Sequence, residues 1–190
     1  MIKIKHRINT LEDLESVDYK YGVELDIRAE GERLILHHDA FVKGIDFEEY
    51  LKEYNHGLMI LNTKCEGMEE KILELMEKYQ IQDYFFLDLS LPFLIKYAKK
   101  GIKKIAIRFS EYEPIEFVMN FAGKVDWVWV DCFNDLPLNM ENYLILKKHF
   151  KLCLVSPELQ GYPLERIKEF KTKLEGMEID AVCTKRPDLW

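Results

Sequence analysis

The segment Val23–Asp39 reads VELDIRAEGERLILHHD, and it contains two short apolar runs that carry or end in charged and imidazole side chains. The first run carries Glu24 and Asp26, and the second ends in the run HHD that contains His38. The residues RAEGER between them are too few for a helical crossover. The segment therefore predicts a β-hairpin that turns at Gly31.

Polar residues also end most of the other apolar runs. Each of these runs is short and typical of a buried strand. The polar ends outside the opening segment are His6-Arg7, Asn62-Thr63-Lys64, Asp88, Arg108 and Asp131. Successive strands that end in polar side chains predict a barrel in which the carboxyl ends of the strands converge on one site.

Amphipathic helical patterns lie between most of the runs, at 46–54, 68–79, 92–100, 139–150 and 163–174. Alternating strands and helices predict parallel strands joined by right-handed crossovers. Nine β-like runs occur, and setting aside the second arm of the hairpin leaves eight strands. We therefore predict an α/β fold, with residues 1–190 forming one compact (β/α)8 TIM-type barrel domain. It should carry an extra hairpin strand after strand 2 and short or missing helices, because such barrels usually need about 250 residues.

The composition narrows the classes of function. A net charge of -7 disfavours nonspecific nucleic-acid binding, which depends on Lys and Arg. No apolar run approaches the ~20 residues of a membrane span, and the N-terminus lacks the apolar stretch of a secretory signal. The four cysteines form no CxxC pair, so we interpret them as reduced thiols. We expect a cytoplasmic protein, for which a homodimer is the base-rate alternative to a monomer.

Glu24 and Asp26 are two residues apart on one predicted strand, so their side chains share a face. Two carboxylates on one face repel each other unless a cation or a proton lies between them, and oxygen ligands suit Mg²⁺ or Ca²⁺. A solvated edge strand would show the same spacing. The apolar residues Val23, Leu25 and Ile27 would then form the opposite face, and in a barrel both faces are occupied.

His6 and His38 each end an apolar run, and they bracket the carboxylate pair in the sequence. This placement favours general acid and base roles, since histidine changes protonation near neutral pH. His37 should point to the other face of its strand. Arg7 and Lys64 would offer positive charge to a phosphate group.

The later strand ends extend the polar character around the predicted mouth of the barrel. Substrate pockets of such barrels are built from the loops that follow the strands. The polar residues at these ends are Asp88, Arg108, Glu111, Asp131 and Glu158.

Three motifs together resemble the glycerophosphodiester phosphodiesterase family: HRIN at 6–9, VELDIRAEGERLILHHD at 23–39 and LMILNTK at 58–64. That family belongs to the wider group of barrel phosphodiesterases similar to phosphatidylinositol-specific phospholipase C. The later strands, among them YFFLDLSLP and WVWVDCF, look like the small bacterial branch, whose members are often associated with surface-polysaccharide loci. The resemblance implies a metal-dependent phosphoric diester hydrolase that acts on a small-molecule or glycan phosphodiester.

The resemblance also implies a role for individual residues. One catalytic histidine would help a neighbouring substrate hydroxyl attack phosphorus, and the other would protonate the leaving alkoxide. A divalent metal, Mg²⁺ or Ca²⁺, would offset charge on the phosphate. The implied residues are His6 and His38 for catalysis, Glu24 and Asp26 for the metal, and Arg7 and Lys64 for phosphate, with Arg108, Glu111, Asp131 and Glu158 expected at the substrate.

Two positions depart from the family pattern. Ile8 stands where the family usually has glycine, so the first loop should differ. Asn62 stands where the family has a third metal carboxylate, and Asp88 on the next strand is the residue that could replace it. A catalytically degenerate barrel that binds a sugar phosphate or a protein partner, linked to surface-polysaccharide metabolism, therefore stays open as an alternative. A Rossmann-like sheet is disfavoured because no GxGxxG motif occurs.

Overall fold

The chain forms ten strands and seven helices in a computed structural model that describes all 190 residues. The strands are β1 (Ile2–Lys5), β2 (Gly22–Glu30), β3 (Arg33–Leu36), β4 (Ile45–Asp46), β5 (Met59–Thr63), β6 (Tyr84–Leu87), β7 (Ala106–Phe109), β8 (Trp127–Val130), β9 (Lys151–Val155) and β10 (Ala181–Thr184). The helices are α1 (Leu11–Ser16), α2 (Phe47–Glu53), α3 (Glu69–Lys78), α4 (Leu91–Lys99), α5 (Ile115–Met119), α6 (Met140–Lys147) and α7 (Glu165–Lys173).

Eight of the strands form a closed ring in the order β1, β2, β5, β6, β7, β8, β9 and β10. Every pairing in this ring is parallel, including that of β10 with β1. An isolated parallel bridge between Phe86 of β6 and Ile105, the residue before β7, completes the ring. The predicted compact (β/α)8 barrel is thereby confirmed.

The extra strand lies where the sequence places it. β3 runs antiparallel to β2, from Ile27 opposite Leu36 to Glu30 opposite Arg33, and Gly31 takes a φ of 61° in the turn. The short strand β4, which the sequence analysis does not predict, pairs antiparallel with β3. Because β3 returns toward the barrel, the residues after it, including His38, come back to the level of the strand ends.

The strands separate two apolar layers. One buried cluster of 38 residues lies mainly between the strands and the helices, and a second of 14 residues mainly fills the barrel interior. Trp127 and Trp129 both belong to the second cluster, so these tryptophans are core residues. The ring of Phe85 stacks on that of Trp127, with 4.7 Å between the ring centroids.

Truncation in this interior should be costly. Phe85 is fully buried, so Phe85→Ala should lower the free energy of unfolding by about 3–5 kcal/mol through lost burial and a residual cavity. Urea denaturation followed by far-UV circular dichroism measures this. Leu144→Ala, which truncates a half-exposed residue of α6, is the control and should change the free energy by less than about 1 kcal/mol. A loss at Phe85 no larger than at Leu144 would contradict the assignment of the interior.

Short connections explain how so few residues close a barrel. The helices have five to ten residues, and after β10 only a 3-10 turn follows, at Pro187–Leu189. The outer face of β1 carries Lys3 and Lys5, whose ammonium groups donate to the carbonyl oxygens of Pro187 (2.9 Å) and Lys185 (3.0 Å). Lysines on this face need no covering helix because their charged ends reach polar partners. None of the helices is both long and apolar enough to cross a lipid bilayer.

Candidate active site

Glu24 and Asp26 lie side by side in the barrel interior, in the part of β2 that pairs with β5, and both are buried. Asn62 on β5 is the register partner of Asp26, and its Nδ2 donates to Glu24 Oε1 at 2.9 Å. The structure therefore brings the three residues together, as the sequence predicts: Asn62 pairs with Asp26 across the two strands and hydrogen-bonds to Glu24. The solvated edge strand is excluded, since neither carboxylate is exposed.

The loop after β1 folds over the two carboxylates. Arg7 has a φ of 55°, and this left-handed turn lets its backbone N–H donate to Glu24 Oε2 at 2.8 Å. The next backbone N–H, that of Ile8, donates to the carbonyl oxygen of Glu24 at 2.8 Å. The left-handed residue is thus Arg7, so Ile8 needs no glycine-like backbone and instead buries its side chain in the core.

Asn9 is a site residue that the sequence analysis missed. Its Nδ2 donates to Asp26 Oδ2, and its Oδ1 accepts from the Asp26 backbone N–H, both at 2.8 Å. Because both ends of the amide are used, the pair of bonds fixes the orientation of the Asp26 carboxylate. The one available signal was the position of Asn9 in the same loop as His6, and position alone does not indicate this contact.

Removing the Asn9 amide should loosen Asp26. Supporting contacts to metal ligands typically contribute 10- to 100-fold in metal affinity, so Asn9→Ala should weaken Mg²⁺ binding by about that factor. Isothermal titration calorimetry measures the change. Asn120→Ala is a matched control, because the Asn120 amide also makes two hydrogen bonds but lies at the exposed end of α5. Equal Mg²⁺ affinities in both variants would rule out this role for Asn9.

Two cations approach Asp26 from the strand ends. Lys64 Nζ lies 3.1 Å from Asp26 Oδ1, and Arg7 Nε lies 4.0 Å from Asp26 Oδ2. The Lys64 side chain is 17% exposed and that of Arg7 is about half exposed. The two predicted phosphate-binding cations therefore stand at the carboxylate pair, on the side that opens to solvent.

His6 stands beside Glu24, with 3.7 Å between Nε2 and Glu24 Oε2. Its side chain is 15% exposed, and its Nδ1 has no hydrogen-bond partner. Burial, and next the charge of Arg7, lower the pKa of His6 to about 4. Burial, and next the charge of Asp26, raise the pKa of Glu24 to about 7. His6 is therefore a neutral imidazole near neutral pH.

His38 lies at the mouth, 39% exposed, and its Nδ1 is 2.8 Å from Asp39 Oδ1. The guanidinium of Arg28 donates twice to the His38 carbonyl oxygen, at 3.1 and 2.6 Å, which holds this part of the loop. The hydrogen bond to His38 lowers the pKa of Asp39, and the charge of Arg7 adds to that effect. The backbone N–H of His37 donates to the Asp26 carbonyl oxygen at 3.0 Å, so the His38 loop begins beside the carboxylate pair.

The residues on the other side of the mouth are bound mainly to one another. Arg108 pairs with Asp88 and with Asp131 (2.7 Å), and its Nε is 3.9 Å from Glu113. Asp88 is the predicted replacement for the missing metal carboxylate. It does not join Glu24 because the Arg108 guanidinium holds it, and no group of three acidic, His or Cys ligands forms.

Glu111 and Glu158 are also engaged within the protein. Glu111 Oε1 accepts from the backbone N–H groups of Asn134 (2.8 Å) and Asp135 (2.9 Å). Glu158 accepts from the Thr184 hydroxyl and from the backbone N–H of Lys185 (3.0 Å). Both residues order loops at strand ends, and the structure does not bring them to the carboxylate pair.

The donor atoms at the carboxylate pair fit a hard divalent cation. Asn62 Oδ1 and Asp26 Oδ1 are buried, and neither accepts a hydrogen bond. The Lys64 ammonium lies close to Asp26 Oδ1, but the two do not have hydrogen-bond geometry. Together with Glu24 they form an all-oxygen set, which Mg²⁺ and Ca²⁺ prefer. Such a cation would bind two buried oxygen atoms that receive no hydrogen bond from the protein.

Comparison with known proteins gives a clear result for structure and none for sequence. No family model matches the chain, and no curated protein matches it. A glycerophosphodiester phosphodiesterase from Agrobacterium tumefaciens str. C58 is similar, with a TM-score of 0.71, 14% identity, and coverage of 99% of this chain and 97% of that one. A glycerophosphoryl diester phosphodiesterase from Parabacteroides distasonis ATCC 8503 has a TM-score of 0.66, 13% identity, and coverage of 99% and 84%.

A further protein from Agrobacterium tumefaciens str. C58, a candidate glycerophosphoryl diester phosphodiesterase, has a TM-score of 0.73. It shares 12% identity, and the match covers 99% of this chain and 94% of that one. The chain thus has the fold of these (β/α)8-barrel proteins along almost its whole length. The resemblance first indicated by the HRIN, ELD and HHD motifs is confirmed in the fold.

Proposed function

We propose that this protein is a metal-dependent phosphoric diester hydrolase similar to glycerophosphodiester phosphodiesterases. The observation that carries the proposal is the buried pair Glu24 and Asp26, which His6 and Lys64 approach at the carboxyl end of a barrel shared with such proteins. A carboxylate pair, an imidazole and an ammonium in one place match the needs of phosphodiester cleavage: a cation site, a proton acceptor and an anion-binding charge.

The two histidines move the protons in this proposal. His6, a neutral imidazole whose Nε2 lies beside Glu24, accepts the proton of a substrate hydroxyl as that oxygen attacks phosphorus. His38, oriented by Asp39 at the mouth, donates a proton to the leaving alkoxide. The product of this step is a cyclic diester, and it leaves His6 protonated and His38 neutral. Water then opens the cyclic diester: His38 takes a proton from the water and His6 gives its proton to the leaving oxygen. Both histidines are therefore back in their starting states after one turnover.

Glu24, Asp26 and Asn62 Oδ1 are the residues that we propose hold the divalent metal, Mg²⁺ or Ca²⁺. When bound, the metal supplies positive charge that stabilises the negative phosphate oxygens in the transition state. Lys64 and Arg7 bind the same phosphate from the solvent side, Lys64 as a point charge and Arg7 with two parallel N–H groups.

The residues across the mouth are proposed to contact the rest of the substrate. Arg108 and Asp131 would form one wall, while Glu111 and Glu158 shape the loops around it. Asp88 supports this wall through Arg108. The substrate is a small-molecule or glycan phosphodiester, and its remaining groups would meet these residues.

The proposal also covers the domain organisation of the protein, its oligomeric state and its cellular compartment. Residues 1–190 act as one phosphodiesterase-like domain, either alone or as a homodimer. The four cysteines are unpaired and three of them are buried, which supports a reducing compartment, the cytoplasm.

The proposal is tested by assaying the purified protein with Mg²⁺ or Ca²⁺ against glycerophosphodiesters and against matched phosphomonoesters. We expect the diesters to be cleaved and the monoesters to remain, with activity lost on chelation and restored by the metal. A protein that releases phosphate from monoesters but leaves diesters intact belongs to another class. Inactivity toward every diester favours the alternative, a degenerate barrel that binds a sugar phosphate or a protein partner, which the neutral Asn62 motivates.

A further inference from the structure

Two buried carboxylates and two cations meet where β2 pairs with β5, near the carboxyl end of β5. Glu24 and Asp26 supply the negative charges, and Lys64 and Arg7, 3.1 and 4.0 Å from Asp26, supply the positive ones. Asn62 stands where a carboxylate would have made the group net negative, and its amide is neutral. The two cations therefore leave the group without excess negative charge before any ligand binds.

The Lys64 ammonium lies next to Asp26 Oδ1, the carboxylate oxygen that a metal would need. Oδ2 of Asp26 is held by the Asn9 amide at 2.8 Å, whereas Oδ1 accepts no hydrogen bond. Oδ1 is thus the oxygen left for a metal, and the Lys64 ammonium faces it. The Lys64 backbone N–H donates to the Ile27 carbonyl oxygen at 2.9 Å, so only its side chain is free to move.

We propose that Lys64 is the internal counter-ion of Asp26 and that it moves to the phosphate when a divalent metal arrives. Metal and phosphodiester then bind as a coupled pair. This rests on the proposed function, from which it takes the metal and phosphate positions. The Lys64 ammonium would repel a metal held at Oδ1 as a like charge, whereas a phosphate would bring the negative charge that draws the ammonium away.

Coupling of this kind is reciprocal, so phosphate must strengthen metal binding by the same factor as metal strengthens phosphate binding. Isothermal titration of Mg²⁺ into the chelator-stripped full chain, with and without inorganic phosphate, measures that factor. We expect Mg²⁺ to bind about 10-fold or more tightly with phosphate present, within the usual range of such couplings.

Lys64→Met keeps the length of the side chain and removes its charge. This variant should bind Mg²⁺ more tightly than the unaltered protein without phosphate, and it should lose most of the phosphate effect. A purely structural lysine would not raise metal affinity when removed. Lys148→Met alters an exposed lysine after α6 and should leave both affinities unchanged. Lys64→Arg keeps the charge and should keep the coupling, and thermal unfolding shows whether each variant is folded.

Three results would overturn the counter-ion role: equal Mg²⁺ affinity with and without phosphate, no tighter Mg²⁺ binding by folded Lys64→Met, or no Mg²⁺ binding in either condition. If Lys64→Met does not fold, the unaltered protein and Lys64→Arg decide the question. Because the titrations involve no turnover, coupled binding without cleavage of any diester would support Lys64 as counter-ion and overturn the hydrolase. Diester cleavage without coupling would do the reverse.

Discussion

Hydrolysis of a glycerophosphodiester is expected to slow by about 10²–10⁴-fold in His38→Ala, and by a similar factor in His6→Ala. The reason is that water, a weaker acid and base than histidine, would have to transfer the proton at the attacking or the leaving oxygen. His6 lies 3.7 Å from Glu24 within the site, whereas His38 is held at the mouth by Asp39. The rate constant kcat at saturating substrate and metal is the measurement.

His149→Ala is the matched control for this experiment. His149 is an exposed histidine just after α6, and its replacement should leave kcat within about twofold of the unaltered protein. Folding of each variant is checked by circular dichroism. Full activity in His38→Ala would remove that residue from the mechanism, and the same result in His6→Ala would remove the proposed proton acceptor.

The second large effect concerns the carboxylate pair. The double variant Glu24→Gln/Asp26→Asn keeps the side-chain shapes and removes both negative charges. In titrations with phosphate present, we expect this variant to bind no Mg²⁺. We expect its rate of hydrolysis to fall by about 10³-fold, equivalent to roughly 4 kcal/mol of transition-state stabilisation. Titration calorimetry and kcat/KM measure the two effects.

The control for this experiment removes two exposed carboxylates that lie on helices far from the pair in the sequence. Glu141→Gln/Glu165→Gln makes the same change of charge at the start of α6 and of α7. Metal binding and hydrolysis should be unchanged in this control. Mg²⁺ binding that survives in Glu24→Gln/Asp26→Asn would place the metal elsewhere.

Much of the fold could be predicted from the sequence because the apolar runs are local and regular. The hairpin at Gly31 and the eight barrel strands follow from run length, turn residues and alternation. The elements that were missed are the shortest: β4 has two residues, α5 has five and α1 has six. Segments of that length show no period, so only pairing or packing with the rest of the chain defines them.

The candidate site also contains residues that could be predicted from the sequence and residues that could not. Glu24 and Asp26 share a face because residues two apart on a strand always do, and this needs no tertiary knowledge. Asn9 was not found because its contact depends on the left-handed turn at Arg7, which the sequence does not indicate. Asp88 was expected at the metal, but its position depends on which cation reaches it, and Arg108 gathers it together with two other carboxylates.

The most direct test of the central claim follows the phosphorus atom itself. Phosphorus-31 NMR of a glycerophosphodiester, incubated with the protein and Mg²⁺, separates the diester from its monoester product. We predict that the diester resonance is replaced by that of a phosphomonoester, and that His6→Ala/His38→Ala leaves it unchanged over the same period. An unchanged diester resonance with the unaltered protein, at metal and substrate concentrations that saturate the site by calorimetry, would contradict the assignment as a phosphodiesterase.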